Sequence, residues 1–338
     1  MFVWITGHNT MRVAILGAGV AGLSCANRLQ RNDITPVVFE KSRGLCGRMS
    51  TRRVELPSGA VVTFDHGAQF VRLKGDGLAQ AVTRLSAAGA VLEWQPRAVV
   101  GEDREPVEPD GRALHVGTPA MNRFFTPFAD GLDVRLNTLV DAVAFDGVWT
   151  IAGEVFDVLV STIPAPQARN LFEDRWGVLD ALAPVEVAPC WALMAAFNTP
   201  LTSCFDTWRH VRGSIGWMAR DGTKPGRASA SAAASFDTWV VHASADWSRE
   251  NLELDKEDAA KKLLSEWNHV MPCVLPEPIY CAAHRWRYSQ TITPMGAPFH
   301  SAEDVGLYVG GDWALGGRVE AAFDSGCAMA DAVLARVD

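Results

Sequence analysis

Three glycines near the amino terminus, Gly17, Gly19 and Gly22, have the G-x-G-x-x-G spacing of a loop that binds a pyrophosphate. In such a loop one glycine permits a tight turn, one lets the backbone approach the phosphates, and one lets a helix pack closely on a strand. The N-terminus of that helix supplies unpaired amides for the anion. Glu40 closes the next predicted strand, where a carboxylate can bind the adenosine ribose hydroxyls. The pattern therefore predicts dinucleotide binding.

A basic segment with two glycines continues directly from Glu40 to Thr51, with the sequence EKSRGLCGRMST. Its backbone amides and the guanidinium groups of Arg43 and Arg48 could lie along an extended cofactor. Arginine suits a pyrophosphate because its planar fork donates two parallel hydrogen bonds. The alternative interpretation is a solvated basic loop that binds no ligand.

A third candidate segment, GGDWALGG, follows a predicted buried strand near the C-terminus. Asp312 could accept hydrogen bonds from the hydroxyls of a bound cofactor, and the helix beginning near Arg318 could direct its positive end at a cofactor group that carries negative charge. Asp312 could instead be only an N-cap residue, and Glu320, in the first turn of that helix, only a surface acid.

The sequence between residues 60 and 300 contains no second G-x-G-x-x-G. Reductases and many monooxygenases use such a motif to bind NAD(P)H. Its absence from the sequence favours a bound cofactor that is reduced by the substrate itself and reoxidised by oxygen.

The chain has 338 residues, of which 21% are charged, and a formal net charge of -8. This balance excludes nucleic acid and an acidic membrane surface as partners, and no apolar run approaches the roughly 20 residues that cross a bilayer. Seven cysteines without a C-x-x-C pattern predict reduced thiols in a cytoplasmic protein, not a disulfide framework or metal site. We expect residues 1–10, which lack a secretory signal, to be an extension that precedes a start at Met11.

The elements that must position these motifs are readable from hydrophobic periodicity. The glycine loop lies in a predicted βαβ unit that starts at Val13 and closes with the strand Val37 to Glu40. Further predictions are helices over 77–89, 119–130, 255–270 and 318–336, strands over 158–163, 237–244 and 307–309, a loop over 102–111, and a hairpin turn at Asp146-Gly147. Eight of the twelve tryptophans fall between 171 and 290, which indicates a second, aromatic-rich domain. Within it, the Ser/Ala-rich segment 226–235 is expected to be a flexible surface loop.

The string EKSRGxxGRMST resembles the second FAD motif of the flavin amine-oxidase superfamily, and specifically that of the renalase family of FAD-dependent oxidases. The resemblance covers nearly all of the chain from Val13 onward. Other strings similar to the family are DHGAQF (65–70), STIPAPQA (161–168), KPGR (224–227), DTWVVHASADWSRENL (237–252), AHRWRY (283–288) and GGDWALGGRVEAAFDSG (310–326). The sequence departs from the family pattern in its N-terminal extension and in an insertion near 228–235, and neither touches a motif.

This resemblance implies an α/β fold with a Rossmann-like, glutathione-reductase-like FAD domain of two βαβ units. An amine-oxidase-like, mixed α+β substrate domain would cap it. We expect the FAD domain to be discontinuous, over residues 11–75, 120–170 and 295–338, and the substrate domain to comprise 76–119 and 171–294.

The resemblance also implies the site residues. Those expected to bind FAD are Gly17, Gly19, Val20, Ala21, Gly22, Glu40, Lys41, Arg43, Gly47, Arg48, Met49, Val140, Asp312, Arg318, Val319 and Glu320. The candidate catalytic residues are His242, Trp286, Gln69 and His66. The Trp286 indole could stack on a flat substrate ring while His242 orients it, although both side chains could instead be packed core residues. No metal is expected.

The activity implied by the resemblance is oxidation of the 2- or 6-dihydro isomers of NAD(P)H to NAD(P)+, with a hydride passed to flavin N5 and O2 reduced to H2O2. A dihydropyridine is electron-rich, so this reaction needs positioning more than a general base. The alternatives are a flavin amine oxidase acting on a small amine, favoured by an aromatic cage with an acidic anchor, and a non-catalytic FAD-binding protein. Basic groups that could hold a substrate phosphate favour the nucleotide substrate; the candidates are Arg209, Arg212, Arg220, Arg285 and Arg287.

Overall fold

A computed structural model describes residues 11–107, 113–209, 213–227 and 236–337. Its strands are β1 (Val13–Leu16), β2 (Val37–Phe39), β3 (Thr51–Glu55), β4 (Val61–Asp65), β5 (Val71–Arg72), β6 (Val91–Trp94), β7 (Ala98–Val100), β8 (Glu105–Pro106), β9 (Leu114–Gly117), β10 (Asp133–Arg135), β11 (Ala144–Phe145), β12 (Trp149–Ile151), β13 (Glu154–Phe156), β14 (Val158–Ser161), β15 (Glu186–Phe197), β16 (Thr207–Arg209), β17 (Ile215–Arg220), β18 (Asp237–Ala243), β19 (Tyr280–Thr293), β20 (Phe299–Ala302) and β21 (Leu307–Gly310). Its α-helices are α1 (Val20–Gln30), α2 (Asp76–Ala87), α3 (Ala165–Phe172), α4 (Val178–Leu182), α5 (Ala245–Glu250), α6 (Lys256–Val270), α7 (Asp312–Leu315) and α8 (Val319–Leu334).

The first sheet has the strand order β10-β2-β1-β14-β21-β20, with the first five strands parallel and β20 antiparallel at the edge. All four residues of β1 and of β14 are buried, as expected for apolar strands with helices or other layers on both faces. Helices α1 and α8 pack so closely that a Cβ on Gly326 would lie 2.2 Å from the carbonyl oxygen of Ala21. Because β1, β2, β14 and β21 run parallel, their C-terminal ends meet at one edge of the sheet.

The predicted βαβ unit is β1-α1-β2. The chain passes from β10 to β14 through the antiparallel sheet β11-β12-β13, so the second expected βαβ unit has a small sheet in place of a crossover helix. The predicted Asp146-Gly147 turn connects β11 and β12, and Gly147 has the positive φ of 75° that such a turn favours.

The second sheet has seven strands, in the order β19-β15-β18-β17-β16-β7-β8. Its two longest strands, β15 and β19, pair antiparallel over most of their length. Helix α6 covers one face through a core that includes Trp191, Trp239 and Trp267, all fully buried. Part of the tryptophan-rich composition of residues 171–290 thus forms the hydrophobic core of the second sheet.

Segment 76–119 was expected to lie in the substrate domain, but the structure divides it. The apolar face of α2, with Leu78, Val82 and Leu85, packs into the same core as β1 and α1, as does Val91 of β6. In contrast, β7 and β8 extend the second sheet. The boundary is corrected accordingly, since hydrophobic periodicity predicts a buried face without indicating which core buries it.

Two local predictions also need correction. Instead of an α-helix over 119–130, the chain forms two 3₁₀ turns, Met121–Phe124 and Thr126–Ala129, because Pro127 lacks the N–H that an α-helix needs. In the expected surface loop 226–235, Arg227 is only 2% exposed. Residues 228–235 and the N-terminal extension lie outside the described residues.

Within the described part of the chain, no helix is both long enough and apolar enough to cross a membrane.

Candidate active site

A cavity of about 840 Å³ lies at the edge where β1, β2, β14 and β21 end. The far wall is formed by residues 284–289 of β19 together with His242 of β18. Ligands of open parallel sheets bind at the carboxyl ends of the strands, and a cavity of this size can hold a large one. The site therefore lies between the two sheets.

The glycine loop forms one end of this cavity. Gly17 has a φ of 97°, which favours glycine, and a Cβ on Gly22 would lie 1.9 Å from the carbonyl oxygen of Gly17. A Cβ on Gly19, in contrast, would meet no protein atom within 4 Å. The loop therefore has the turn glycine, the packing glycine and the open glycine that the motif predicts. Val20 and Ala21 line the cavity beside Gly19.

Glu40 lines the cavity at the end of β2 and is only 7% exposed. One carboxylate oxygen accepts a hydrogen bond from the Ala18 amide at 2.9 Å and the other from the Ser42 amide at 2.7 Å. These bonds tie the glycine loop to the segment after β2 and leave lone pairs for a ligand hydroxyl. Lys41 and Val140 are part of the same region of the lining.

The basic segment after Glu40 contributes Gly47, Arg48 and Met49 to the lining. The Arg48 guanidinium donates to both carboxylate oxygens of Asp312, at 3.0 and 2.5 Å, and to the Ser289 carbonyl at 2.8 Å. This bidentate pair joins the basic segment after Glu40 to the closing segment GGDWALGG. Arg43 does not take part, because its side chain is exposed and it is not among the residues that line the cavity.

Cys46 is the cysteine of this segment. Its thiol donates to the Asn122 carbonyl at 3.2 Å, and burial raises its pKa to about 12. A thiol with so high a pKa is not a nucleophile at neutral pH. All seven cysteines are free, and the described residues include no group of His, Cys, Asp and Glu side chains suited to holding a metal ion.

The closing segment contributes Asp312, Arg318 and Val319 to the lining. Asp312 is the first residue of α7, after the Gly311 N-cap, and Arg318 is the N-cap of α8. The N-terminus of the long helix α8 therefore opens onto the cavity, where its dipole favours negative charge.

Glu320 has another role. It is 4% exposed, and one carboxylate oxygen accepts hydrogen bonds from the amides of Lys74, at 2.9 Å, and Gly75, at 2.7 Å. Gly75 is the N-cap of α2, so Glu320 satisfies amides at the start of that helix. The alternative of a surface acid is wrong, and Glu320 does not line the cavity.

An aromatic wall lines the cavity opposite the glycine loop and Asp312. It is formed by His242, His284, Trp286 and Tyr288. The Trp286 indole N–H donates to the His66 carbonyl at 2.9 Å, and His242 Nε2 lies 3.2 Å from the same oxygen. A carbonyl oxygen can only accept, so His242 carries its hydrogen on Nε2. The His66 ring stacks on Trp286 with centroids 5.1 Å apart, and His284 contacts both rings edge to face.

These three imidazoles are uncharged at neutral pH. Burial lowers the pKa of His242 to about 4. Burial, followed by the charge of Arg52, lowers the pKa of His66 to about 4, and burial followed by His66 lowers that of His284 to about 3. The wall is therefore a neutral aromatic surface that can hydrogen-bond.

His66 and Gln69, although predicted as catalytic, do not line the cavity. His66 acts through its carbonyl, behind Trp286 and His242. The Gln69 amide is buried and bonds to Lys224, at 3.1 Å, within a cluster of buried charges that also includes Asp65, Asp221 and Arg227. Sequence reasoning missed this cluster, since its members lie in DHGAQF (65–70) and in residues 221–227, and no spacing links these two segments.

Among the described arginines that were considered for phosphate binding, Arg285 and Arg287 line the cavity. Both pair with Glu253, at 3.2 and 2.7 Å, and their side chains remain 31% and 40% exposed. Arg220 pairs with Asp237, and Arg209 is exposed outside the cavity. Arg212 lies outside the described residues.

The residues present fit an extended flavin dinucleotide. The open space at Gly19, the carboxylate of Glu40, the Arg48 guanidinium and the N-terminus of α8 all border a single cavity. Gly19 and Arg48 suit a pyrophosphate, Glu40 suits a ribose, and the N-terminus of α8 suits a ring that becomes anionic on reduction. A Rossmann-type sheet with this lining and an aromatic wall opposite defines a flavin-dependent oxidoreductase.

Comparisons with known proteins assign the family. Residues 102–334 match the model of the flavin containing amine oxidoreductase family, and residues 15–85 match that of an NAD(P)-binding Rossmann-like domain. The chain therefore belongs to the flavin containing amine oxidoreductase family. Its cofactor is FAD, and it is a flavin-dependent oxidase that acts on a small molecule and O2.

Individual relatives agree with this assignment. Renalase of Mus musculus is 24% identical over 299 residues, which cover 82% of this chain and 85% of renalase. A protein from Exiguobacterium sp. 255-15, provisionally described as a protoporphyrinogen oxidase, has a TM-score of 0.77 at 13% identity over 98% of this chain and 100% of its own. Cyclohexylamine oxidase from Brevibacterium oxydans IH-35A has a TM-score of 0.72 at 12% identity, covering 97% and 99% of the two chains. Identities this low between solved structures and this chain establish the fold alone.

Proposed function

We propose that this protein is a renalase-type oxidase that converts the 2- and 6-dihydro isomers of NAD(P)H to NAD(P)+. The observation that carries the proposal is the composition of the wall opposite the flavin region. It combines neutral aromatic rings, His242, His284 and Trp286, with two guanidinium groups, Arg285 and Arg287. A neutral, flat dihydropyridine suits the rings, and the phosphates of its nucleotide suit the arginines.

We further propose which residues hold FAD. The pyrophosphate would lie against Gly17, Gly19, Val20 and Ala21, with Arg48 as its guanidinium partner, and Glu40 would bind the adenosine ribose. Other lining residues expected to contact the cofactor are Lys41, Gly47, Met49, Val140, Asp312, Arg318 and Val319. Bound FAD supplies the hydride acceptor and returns the electrons to O2.

The residues of the chain then have few chemical tasks. Trp286 would stack on the substrate ring, and His242, fixed through its Nε2–H, would orient it. The low pKa of each wall histidine makes it a poor base, which agrees with a substrate that is already electron-rich. Catalysis would come from holding the ring at the flavin and excluding water.

Amine oxidation is the alternative within the same fold, and the wall argues against it. An amine substrate would be held as a cation by an acidic anchor. The acidic residues of the described lining are Glu40, Asp141 and Asp312, and the wall 284–289 contributes none. Glu40 and Asp312 belong to the FAD region, where both already accept hydrogen bonds.

The test is to mix the purified holoprotein anaerobically with partly mis-reduced NAD, containing the 2- and 6-dihydro isomers, and to follow flavin absorbance. Rapid bleaching, reversed by air with formation of peroxide, is expected. Bleaching by a panel of amines but not by these isomers would refute the proposal and assign an amine oxidase. If neither bleaches the flavin, the oxidase has another substrate and the proposal also fails.

A further inference from the structure

The cluster of buried charges behind the aromatic wall has no role in the chemistry described above. The side chains of Asp65, Asp221, Lys224 and Arg227 are all 0% exposed. Burying ion pairs is costly, and apolar residues of similar volume often serve stability as well or better. The cluster is thus poorly explained by stability alone, and its contacts lead to the active-site wall.

Lys224 is the centre of this cluster. Its ammonium lies 3.0 Å from Asp65 Oδ2, 2.6 Å from Asp221 Oδ1 and 3.1 Å from Gln69 Oε1. An ammonium has three hydrogens, so these three acceptors use all of them. The Arg227 guanidinium completes the cluster by donating to Asp65 Oδ2, at 2.5 Å, and to the Gly117 carbonyl, at 2.8 Å.

Lys224 determines the orientation of the Gln69 amide. Because an ammonium can only donate, the atom of Gln69 that faces it must be the oxygen. The amide nitrogen therefore faces the other way, where it donates to the carbonyls of Asp65 and, at 3.0 Å, Gly67. These carbonyls flank His66, so the amide clamps the backbone on both sides of that residue.

The clamped residue supports the active-site wall. The His66 carbonyl is the shared acceptor of the Trp286 indole N–H and of His242 Nε2. On its other side the segment is held by the FAD-binding loop, since the Ala68 amide donates to the Arg48 carbonyl at 2.8 Å and a Cβ on Gly67 would lie 1.9 Å from the same oxygen. A displacement of residues 65–69 would therefore move both wall side chains relative to the flavin region.

We propose that Lys224 and Gln69 are positioning residues: they fix the 65–69 backbone and, through the His66 carbonyl, set the orientation of Trp286 and His242 toward the substrate. Neither residue touches the cavity. The kinetic consequence rests on the proposed function, because it needs a flat substrate against this wall. The structural consequence, the orientation of Trp286, does not.

The variant Gln69→Met tests this inference, because methionine has a similar volume and lacks both ends of the amide. Gln69 is preferable to Lys224, whose loss would leave two buried carboxylates poorly compensated. Gln30→Met is the matched control, since Gln30 lies on α1 away from the cavity. Both holoproteins are compared with the wild type in FAD content and thermal midpoint.

The readout independent of substrate is the indole N–H resonance of Trp286 in protein labelled with ¹⁵N at tryptophan, assigned by its loss in Trp286→Phe. We expect it to shift in Gln69→Met, while the indole of Trp149, bonded 2.8 Å from the remote Val305 carbonyl, does not. An unmoved Trp286 resonance would overturn the inference. Equal shifts of both indoles with loss of FAD would also overturn it, by indicating a general structural role.

The second readout is the limiting rate of anaerobic flavin reduction. With the dihydropyridine isomers we expect Gln69→Met to lower this rate by about tenfold or more and to change substrate affinity little, since small displacements act on the reacting geometry. An unchanged rate beside a shifted indole would contradict a kinetic role for Gln69. If the isomers fail to bleach wild-type FAD, the proposed function fails by itself, and the indole resonance still decides the positioning.

Discussion

At the scale of single residues, Gly19 is the glycine of the loop whose missing side chain leaves room for a ligand. Its neighbours Gly17 and Gly22 are required by the backbone and by packing, whereas a Cβ on Gly19 would project into open space. Substitution at Gly19 should therefore spare the protein fold and remove the cofactor, which separates binding from stability.

We predict that Gly19→Val yields folded protein that has lost most of its bound FAD, because the side chain occupies the place of the pyrophosphate. The measurement is flavin absorbance per chain after purification, with the thermal midpoint of the apoprotein as a test of folding. Gly44→Val is the control, since Gly44 also has open space around it but does not line the cavity. Full FAD occupancy in Gly19→Val would contradict the assignment of the cofactor site.

His242 in the wall and His66 behind it predict a pH dependence of stability. Burial lowers the pKa of His242 and His66 from 6.5 to about 4, so below pH 6.5 the unfolded chain binds protons that the folded chain does not. Stability should therefore be complete above pH 6.5 and fall as the pH decreases from there toward 4. Urea midpoints across this range should decline less steeply for His242→Asn, whereas the exposed control His269→Asn should follow the wild type. Equal slopes in all three would refute the predicted neutrality of His242.

At the scale of secondary-structure elements, β19 combines two functions in adjacent residues. Alternating side chains of a strand point to opposite sides, yet residues 284–289 all border the cavity, which indicates that the strand lies edge-on to it. The strand thereby places the rings of His284 and Trp286 and the cations of Arg285 and Arg287 along a single cavity.

For this strand we predict that Arg285→Ala and Arg287→Ala each weaken binding of the dihydropyridine dinucleotide by about two- to fivefold, as expected for partly exposed ion pairs. The effect should shrink for the corresponding dihydronicotinamide riboside, which has no phosphate. Titration of flavin absorbance in rapid mixing measures both affinities. Arg209→Ala, outside the cavity, should change neither, and equal losses for the two ligands would argue against a phosphate contact.

The packing of α1 on α8 is a second property of elements. Both helices border the cofactor region, and Gly326 permits their close approach. We predict that Gly326→Ala forces the helices apart and lowers the free energy of unfolding by about 1–3 kcal/mol, the usual cost of overpacking. Urea denaturation measures this change, with Asp324→Ala, an exposed substitution on the same helix, as the control. A fully stable Gly326→Ala would mean that α1 and α8 can adjust.

At the scale of the whole molecule, the cluster around Lys224 connects two parts of the protein: the segment that precedes α2 and the second sheet. Asp65 belongs to β4 in the part that precedes α2, whereas Asp221, Lys224 and Arg227 follow β17 of the second sheet. Burial alone would raise the pKa of Asp65, but the Lys224 and Arg227 cations outweigh it and hold the pKa at about 2. The Asp65 carboxylate is thus the common partner of both cations.

We predict that Asp65→Asn destabilises the protein by about 3–5 kcal/mol, the usual result of removing one partner of a buried ion pair. Because the cluster joins both parts, tryptophan fluorescence, which reports mainly on the second sheet, and release of FAD should shift together in a urea titration. Arg97→Ala, which breaks a more exposed pair with Asp206, should cost much less. A shift of one transition while the other stays at its wild-type midpoint would show that the cluster stabilises only one of the two parts.

The cofactor half of this protein is the part that the sequence predicts best. Phosphate and ribose recognition uses backbone amides and one carboxylate within a single βαβ unit, so the spacing of Gly17, Gly19, Gly22 and Glu40 carries the geometry. The strands β1, β14 and β21 and the helices α1 and α8 were predictable for the same reason, since hydrophobic periodicity is a local property.

The contacts between distant segments could not be predicted from the sequence, because they depend on the tertiary fold. Lys224 reaches an aspartate 159 positions away, α2 packs into the first core, and Glu320 caps α2 instead of lying at the surface. The wall of His242, His284 and Trp286 likewise depends on the pairing of β15 with both β18 and β19. Local patterns specify which residues are buried, but the partner of a buried charge or ring is selected by the packing of the whole chain, and no spacing along the sequence records it.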